Sequence, residues 1–118
     1  MNIRRSVLVY QFSERIKSEL IIASELLERM CSLKGEARIG AERMMTTFLE
    51  ALVREIRIAQ GIEKSVKFLG AEKKVREAMG ILKLSERADP QARLSQALSY
   101  VTTSCQGAME CLEDRGIL

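Results

Sequence analysis

The side chains that could do chemistry here are acidic pairs, three cysteines, a basic stretch and a run of hydroxyls. Histidine is absent. Imidazole is the commonest general base near neutral pH, so the usual proton shuttle is missing. Helical di-iron sites built on Glu-x-x-His pairs are excluded for the same reason. Glu25 and Glu28, and likewise Glu110 and Glu113, put two carboxylates on adjacent helical turns. Magnesium needs few protein ligands, so these four acids could serve a nucleotide pyrophosphatase-like helical enzyme. That reading requires the last helix to bring its pair up to the first. It ranks third, because Glu-x-x-Glu is common on any solvated helix.

Cys31, Cys105 and Cys111 follow no metal-ligand spacing, and their odd number argues against a closed disulfide framework. They read as small apolar residues in a reducing compartment, with Cys105 buried and inert. No catalytic residue, metal or cofactor is assigned, and the chain is expected not to be an enzyme.

Residues 54–77 hold seven basic side chains, six of which (Arg54, Arg57, Lys64, Lys67, Lys73 and Lys74) are candidates for nucleic-acid contact. The seventh is Arg76. If one helix ran unbroken to Leu69, Arg57, Lys64 and Lys67 would share a side and could follow a phosphate backbone. Acids weaken this reading. Glu50 with Arg54, Glu63 with Lys67, and Glu72 with Arg76 stand at i,i+4 in the favourable order, which describes a solvated face. Phe68 is the only interleaved aromatic, and it is expected to point inward, which leaves no platform for bases.

From Leu94 to Met109 the chain carries no charge for sixteen residues. In a chain that is 30% charged, such a run has odds of ~0.3% at a preset site. A helix facing water normally carries Lys, Glu or Arg there. Here Ser95, Ser99, Tyr100, Thr102, Thr103 and Gln106 surround the apolar stripe. Hydroxyls can bond to the preceding turn, so their burial is tolerable. Two readings stand level: a central helix packed on most sides, or a helix half covered by a second copy or another protein. A hydroxyl-lined small-molecule pocket is a minor third. Ile22 and Leu26 widen the apolar face of the first helix and join the proposed contact surface.

These side chains need helices to hold them. The chain has 118 residues, 47% apolar, with one proline, no tryptophan and 4% aromatics. Such a composition leans away from strands and builds a core from aliphatic residues. The length suits one domain, residues 1–118. Four amphipathic segments follow. The first, about Ser6 to Leu33, has the stripe Val9, Phe12, Ile16, Leu20, Ala23, Leu27 and Met30, and Gly35 is placed to end it. The second starts near Glu36 or Ala37 and carries Met45, Leu49, Leu52, Ile56 and Ala59. Its end is expected near Gly70 rather than Gly61, because the apolar phase breaks after Leu69. The third is short, about Ala71 to Ser85, with Val75, Met79 and Leu82 inward. Ser85 to Asp89 is the connection. The fourth begins with Asp89 as cap and Pro90 in the first turn. Its stripe is Leu94, Leu98, Val101, Cys105, Ala108 and Leu112, and Gly116 with Ile117 ends it.

The expected architecture is therefore an all-α, antiparallel, up-down bundle of about four helices, three long and one shorter. The net charge of +3 permits an anionic partner without requiring one. No apolar run approaches the ~20 residues of a membrane span, so a cytoplasmic location without membrane partners is expected. The expected role is a non-catalytic subunit or adaptor acting through protein–protein, chiefly homo-oligomeric, association. The alternative is an accessory nucleic-acid-binding protein using residues 54–77.

Overall fold

The computed structural model describes residues 2–84 and 89–117. Among them lie four helices and no strand: α1 (Ile3–Met30), α2 (Gly35–Ile62), α3 (Val66–Leu84) and α4 (Gln91–Asp114). The expected connection at 85–88 lies outside the described residues.

The helices form because each carries one apolar stripe at three-four spacing, and each stripe is covered by its neighbours. Val9, Ile16, Leu20, Ala23, Leu27 and Met30 are buried on α1, and Met45, Leu49, Leu52, Ile56 and Ala59 on α2. Phe68, Val75 and Leu82 come from α3, and Leu94, Val101, Cys105, Ala108 and Leu112 from α4. Phe68 does face inward, as its phase requires. Full burial of each large aliphatic side chain is worth about 1.5–3 kcal/mol, so these stripes dominate the stability.

The helices form a closed square. α1 packs on α2 and α4, and α3 packs on α2 and α4. Among the described residues the diagonal pairs do not approach closely. Neighbours run antiparallel: Ser6 at the start of α1 meets Cys111 near the end of α4, while Gln91 at the start of α4 reaches the Ser24 carbonyl. The result is a rod of 54 × 21 × 18 Å.

The helix boundaries follow local hydrogen bonding. Asn2 starts α1, its side chain accepting from the Arg5 N–H at 2.8 Å. α1 stops at Met30, before Gly35. That glycine has φ +62°, yet it opens α2 instead of closing α1. Arg38, only 6% exposed, reaches back and donates to the Met30 carbonyl at 3.2 Å and to Glu42 at 2.9 Å. It thereby satisfies one of the carbonyls that a helix end leaves without a partner.

The expected break near Gly70 is corrected. α2 ends at Ile62, Glu63 is extended, and Ser65 starts α3. The Ser65 hydroxyl accepts the Lys67 N–H at 3.0 Å, which is the bond of a serine N-cap. Gln60 accepts the Ser65 N–H at 3.3 Å and so ties down the turn. The turn also explains the lost phase. Val66 and Leu69, which a continuous helix would have kept near the stripe, are exposed.

Gly70 sits inside α3 for a different reason. A Cβ there would lie 2.7 Å from the Tyr100 ring, so the ring packs directly on the backbone. At the far end α4 begins as expected. Asp89 accepts the Gln91 N–H at 2.9 Å, and the Pro90 backbone is already helical. It closes with Gly116 at φ +74°, Ile117 N–H bonding Leu112 and Gly116 N–H bonding Glu113, the paired bonds of a Schellman motif. No helix among the described residues is long and apolar enough to cross a membrane.

Candidate functional site

Two opposite seams of the square carry the exposed chemistry. The first lies between α1 and α2. Ile22 and Leu26 are 46% and 44% exposed, and Met44 is 74% exposed. A groove of about 350 Å³ runs between the helices here, lined by Leu26, Arg29, Leu33, Ala41, Met44 and Phe48. Apolar side chains left in water over one contiguous strip mark a surface that gains from being covered.

The charges along this seam are ordered. Arg29 lines the groove near the end of α1. Further back, Arg15 stands 3.3 Å from Glu55 and lies over the Phe12 ring at 5.0 Å. Glu19 adjoins Glu55. Burial, then a hydrogen bond to Glu55 and its charge, push the Glu19 carboxyl up to about 7 despite Arg15. Near neutral pH Glu19 is therefore protonated in part, unlike an ordinary surface carboxylate. The strip thus carries the Glu19 and Glu55 acids with Arg15 at one end, is apolar in the middle, and ends at Arg29, which Glu25 and Glu28 flank.

The second seam lies between α3 and α4, with the outer face of α4 beside it. Ser95, Ser99, Thr103 and Gln106 are exposed, while Tyr100 and Thr102 are half-buried. The chain's own helices cover α4 on two sides only, so the centrally packed reading of α4 is corrected: its uncharged flank faces out. Ser99 and Thr103 donate to the carbonyls of Ser95 and Ser99 at 3.2 and 3.0 Å, the local bonds expected of helical hydroxyls. Leu26 lines the opposite seam and Ile22 is exposed one turn before it on α1, so the expected contact surface divides into two separate faces.

The basic residues divide as well. The turn at 63–65 separates Arg57 from Lys64 and Lys67, so the single cationic side drawn on one long helix does not form. Arg54 and Arg57 line the α2/α3 groove, where Arg57 and Arg76 both bind Glu72, at 3.4 and 2.9 Å. Glu63 lies 3.7 Å from Arg5 on α1. Lys64 and Lys73 are exposed elsewhere. Lys67 and Lys74 alone come together with α4, in a cleft with Gln96, Ser99, Tyr100 and Thr103. Sequence reasoning missed this cluster because it placed Lys67 on the wrong helix. Ser65 followed by an apolar-periodic run was the available signal.

The acidic pairs stay apart. Ser6 marks the level of Cys111 on α1, so Glu110 and Glu113 stand about nineteen residues, roughly 30 Å, from Glu25 and Glu28. Among the described residues no three acidic or cysteine side chains gather as metal ligands would. The pyrophosphatase arrangement fails on this geometry. Cys105 is buried, and its thiol donates to Glu14 at 3.1 Å. Burial and the Glu14 carboxylate push it up to about 11, which keeps it a thiol at neutral pH. The same bond, with Lys17, holds Glu14 below the ordinary carboxylate range. Cys31 is exposed.

Compared with known protein families, curated proteins and solved structures, the chain matches none of them.

Proposed function

We propose that this chain is a small non-catalytic helical-bundle subunit that associates with a second copy of itself through the α1/α2 seam. The observation that carries this reading is the exposed Leu26 and Met44 lining a formed groove, with Ile22 exposed one helical turn before Leu26. Charge order favours a second copy as the occupant. Arg29 lies ten residues from Glu19, about 15 Å along the helix, with Ile22 and Leu26 between. A two-fold axis across the helices at this apolar stretch sets each Arg29 against the other copy's Glu19 and Glu55. Such an interface is self-complementary, as a symmetric dimer requires. One side of a rod 54 Å long and 21 Å wide also exceeds the ~800 Å² per partner of a standard interface.

Sedimentation equilibrium tests the reading. At a loading of about 100 μM, a dimer of micromolar affinity is nearly full. The expected mass is twice that of the chain. Leu26→Glu is expected to return it to one chain with unchanged helix content, whereas Ser99→Arg on α4 leaves the dimer intact. A single-chain mass at that loading overturns the proposal. Loss of the dimer through Ser99→Arg alone moves the contact to α4 and overturns the choice of seam.

A further inference from the structure

We propose that the α3/α4 seam binds a small phosphate-bearing molecule between Lys67 and Lys74. The two lysines stand seven residues apart on one face of α3, about 10 Å along the axis, on either side of Gly70. Gly70 lets the Tyr100 ring lie against the α3 backbone, at a position between Lys67 and Lys74 along the helix. Gln96, Ser99 and Thr103 complete a cleft of about 430 Å³.

The charge balance points to an anion. α4 carries no charged residue from Leu94 to Met109, so nothing across the seam neutralises the lysines. Lys74 shares Glu77 at 3.1 Å. Among the described residues nothing pairs with the Lys67 ammonium, the Gln96 amide or the Tyr100 hydroxyl. Ser99 and Thr103 spend their protons on their own helix. The donors left for a ligand are therefore two ammoniums, one amide and one phenol, which suits phosphate oxygens.

The cleft is short. Glu77, with Arg93 at 3.8 Å, closes one end with a carboxylate, and Arg54, Arg57, Lys64 and Lys73 face elsewhere. A polynucleotide needs a continuous cationic track, whereas here only two lysines line the cleft and the third cation of the seam, Arg93, is turned to Glu77. A compact mono- or diphosphate fits it better. The seam lies across the bundle from the α1/α2 contact, so either proposal can fail while the other stands.

Amide shifts of the 118-residue chain, titrated at low salt, provide the test. The probes are inorganic pyrophosphate, ATP and a twelve-residue oligothymidylate. The expected result is saturable shifts at Lys67–Lys74 and Gln96–Thr103 with pyrophosphate and ATP. The double variant Lys67→Gln, Lys74→Gln is expected to weaken this at least about tenfold, and the matched double variant Lys64→Gln, Lys73→Gln less than about twofold. No saturable shift at the seam, or equal losses in both variants, overturns the proposal. Oligothymidylate binding that outcompetes ATP and strengthens with length also overturns it and assigns the seam to single strands.

Discussion

Gly70→Ala separates two roles that a helical glycine can have. Adding a methyl group inside a helix gains about 1 kcal/mol when nothing obstructs it. At Gly70 the new Cβ would meet three Tyr100 ring atoms at 2.7, 2.7 and 2.9 Å. The ring or the helix must move, and overpacking of this kind costs about 1–3 kcal/mol. The two effects combine to a net loss of about 1 kcal/mol, or ~4 °C in Tm for a chain of this length. Gly80 lies on the same helix with nothing within 4 Å of its Cβ position, so Gly80→Ala is expected to gain up to about 1 kcal/mol. The contact itself is tested by truncating the ring. In a Tyr100→Ala background, Gly70→Ala is expected to become stabilising, a coupling of about 2 kcal/mol. Urea unfolding followed by circular dichroism reads the native chain and all four variants. Were Gly70→Ala to stabilise the native background as much as Gly80→Ala does, the close-approach argument would be wrong.

Two further expectations follow from the charged groups. Glu19 holds its proton to about pH 7 in the fold but releases it near 4.5 when unfolded, so stability falls as pH rises between those values and is level above. The shift corresponds to roughly 3 kcal/mol at most, reduced to about 1 by partial exposure, and Glu19→Gln is expected to recover that amount at pH 8 and nothing at pH 4. An unchanged pH slope in the variant rejects the raised Glu19 carboxyl. Arg38→Met keeps the aliphatic stem but strips the donor from the Met30 carbonyl, with an expected loss of about 1–2 kcal/mol by thermal unfolding. A loss below about 0.5 kcal/mol means water replaces the guanidinium there.

The sequence made the bundle legible because its stripes are long and steady. Ile16, Leu20 and Leu27, or Leu49, Leu52 and Ile56, have no alternative phase that would bury them together. The α2/α3 boundary was hidden because both Gly61 and Gly70 resemble caps, while the actual stop uses Gln60 and Ser65 side chains around an extended Glu63. Periodicity senses which face is apolar, and three residues of turn displace that phase only gradually. The exposed Ile22 and Leu26 were legible as surplus width of the α1 stripe. Arg38 was not, although it falls in phase with Met45, because a buried arginine is only tolerable when a carbonyl and a carboxylate wait for it. The Lys67–Tyr100–Lys74 cluster depends on how α3 is rotated against α4, and a stripe alone does not encode which flank meets which neighbour.

The 2.9 Å contact between Ser6 and Cys111 joins the start of α1 to the end of α4. Because the helices close into a ring, these two ends are spatial neighbours, and the order in which the helices are threaded is separable from how they pack. A circular permutant that links the ends by a short glycine-serine bridge and opens at Lys64 would preserve every helix–helix face. It would instead start with α3 and finish with α2. The bundle can thus be treated as a cyclic object cut at one of its corners, with both cut ends emerging from the same end of the rod.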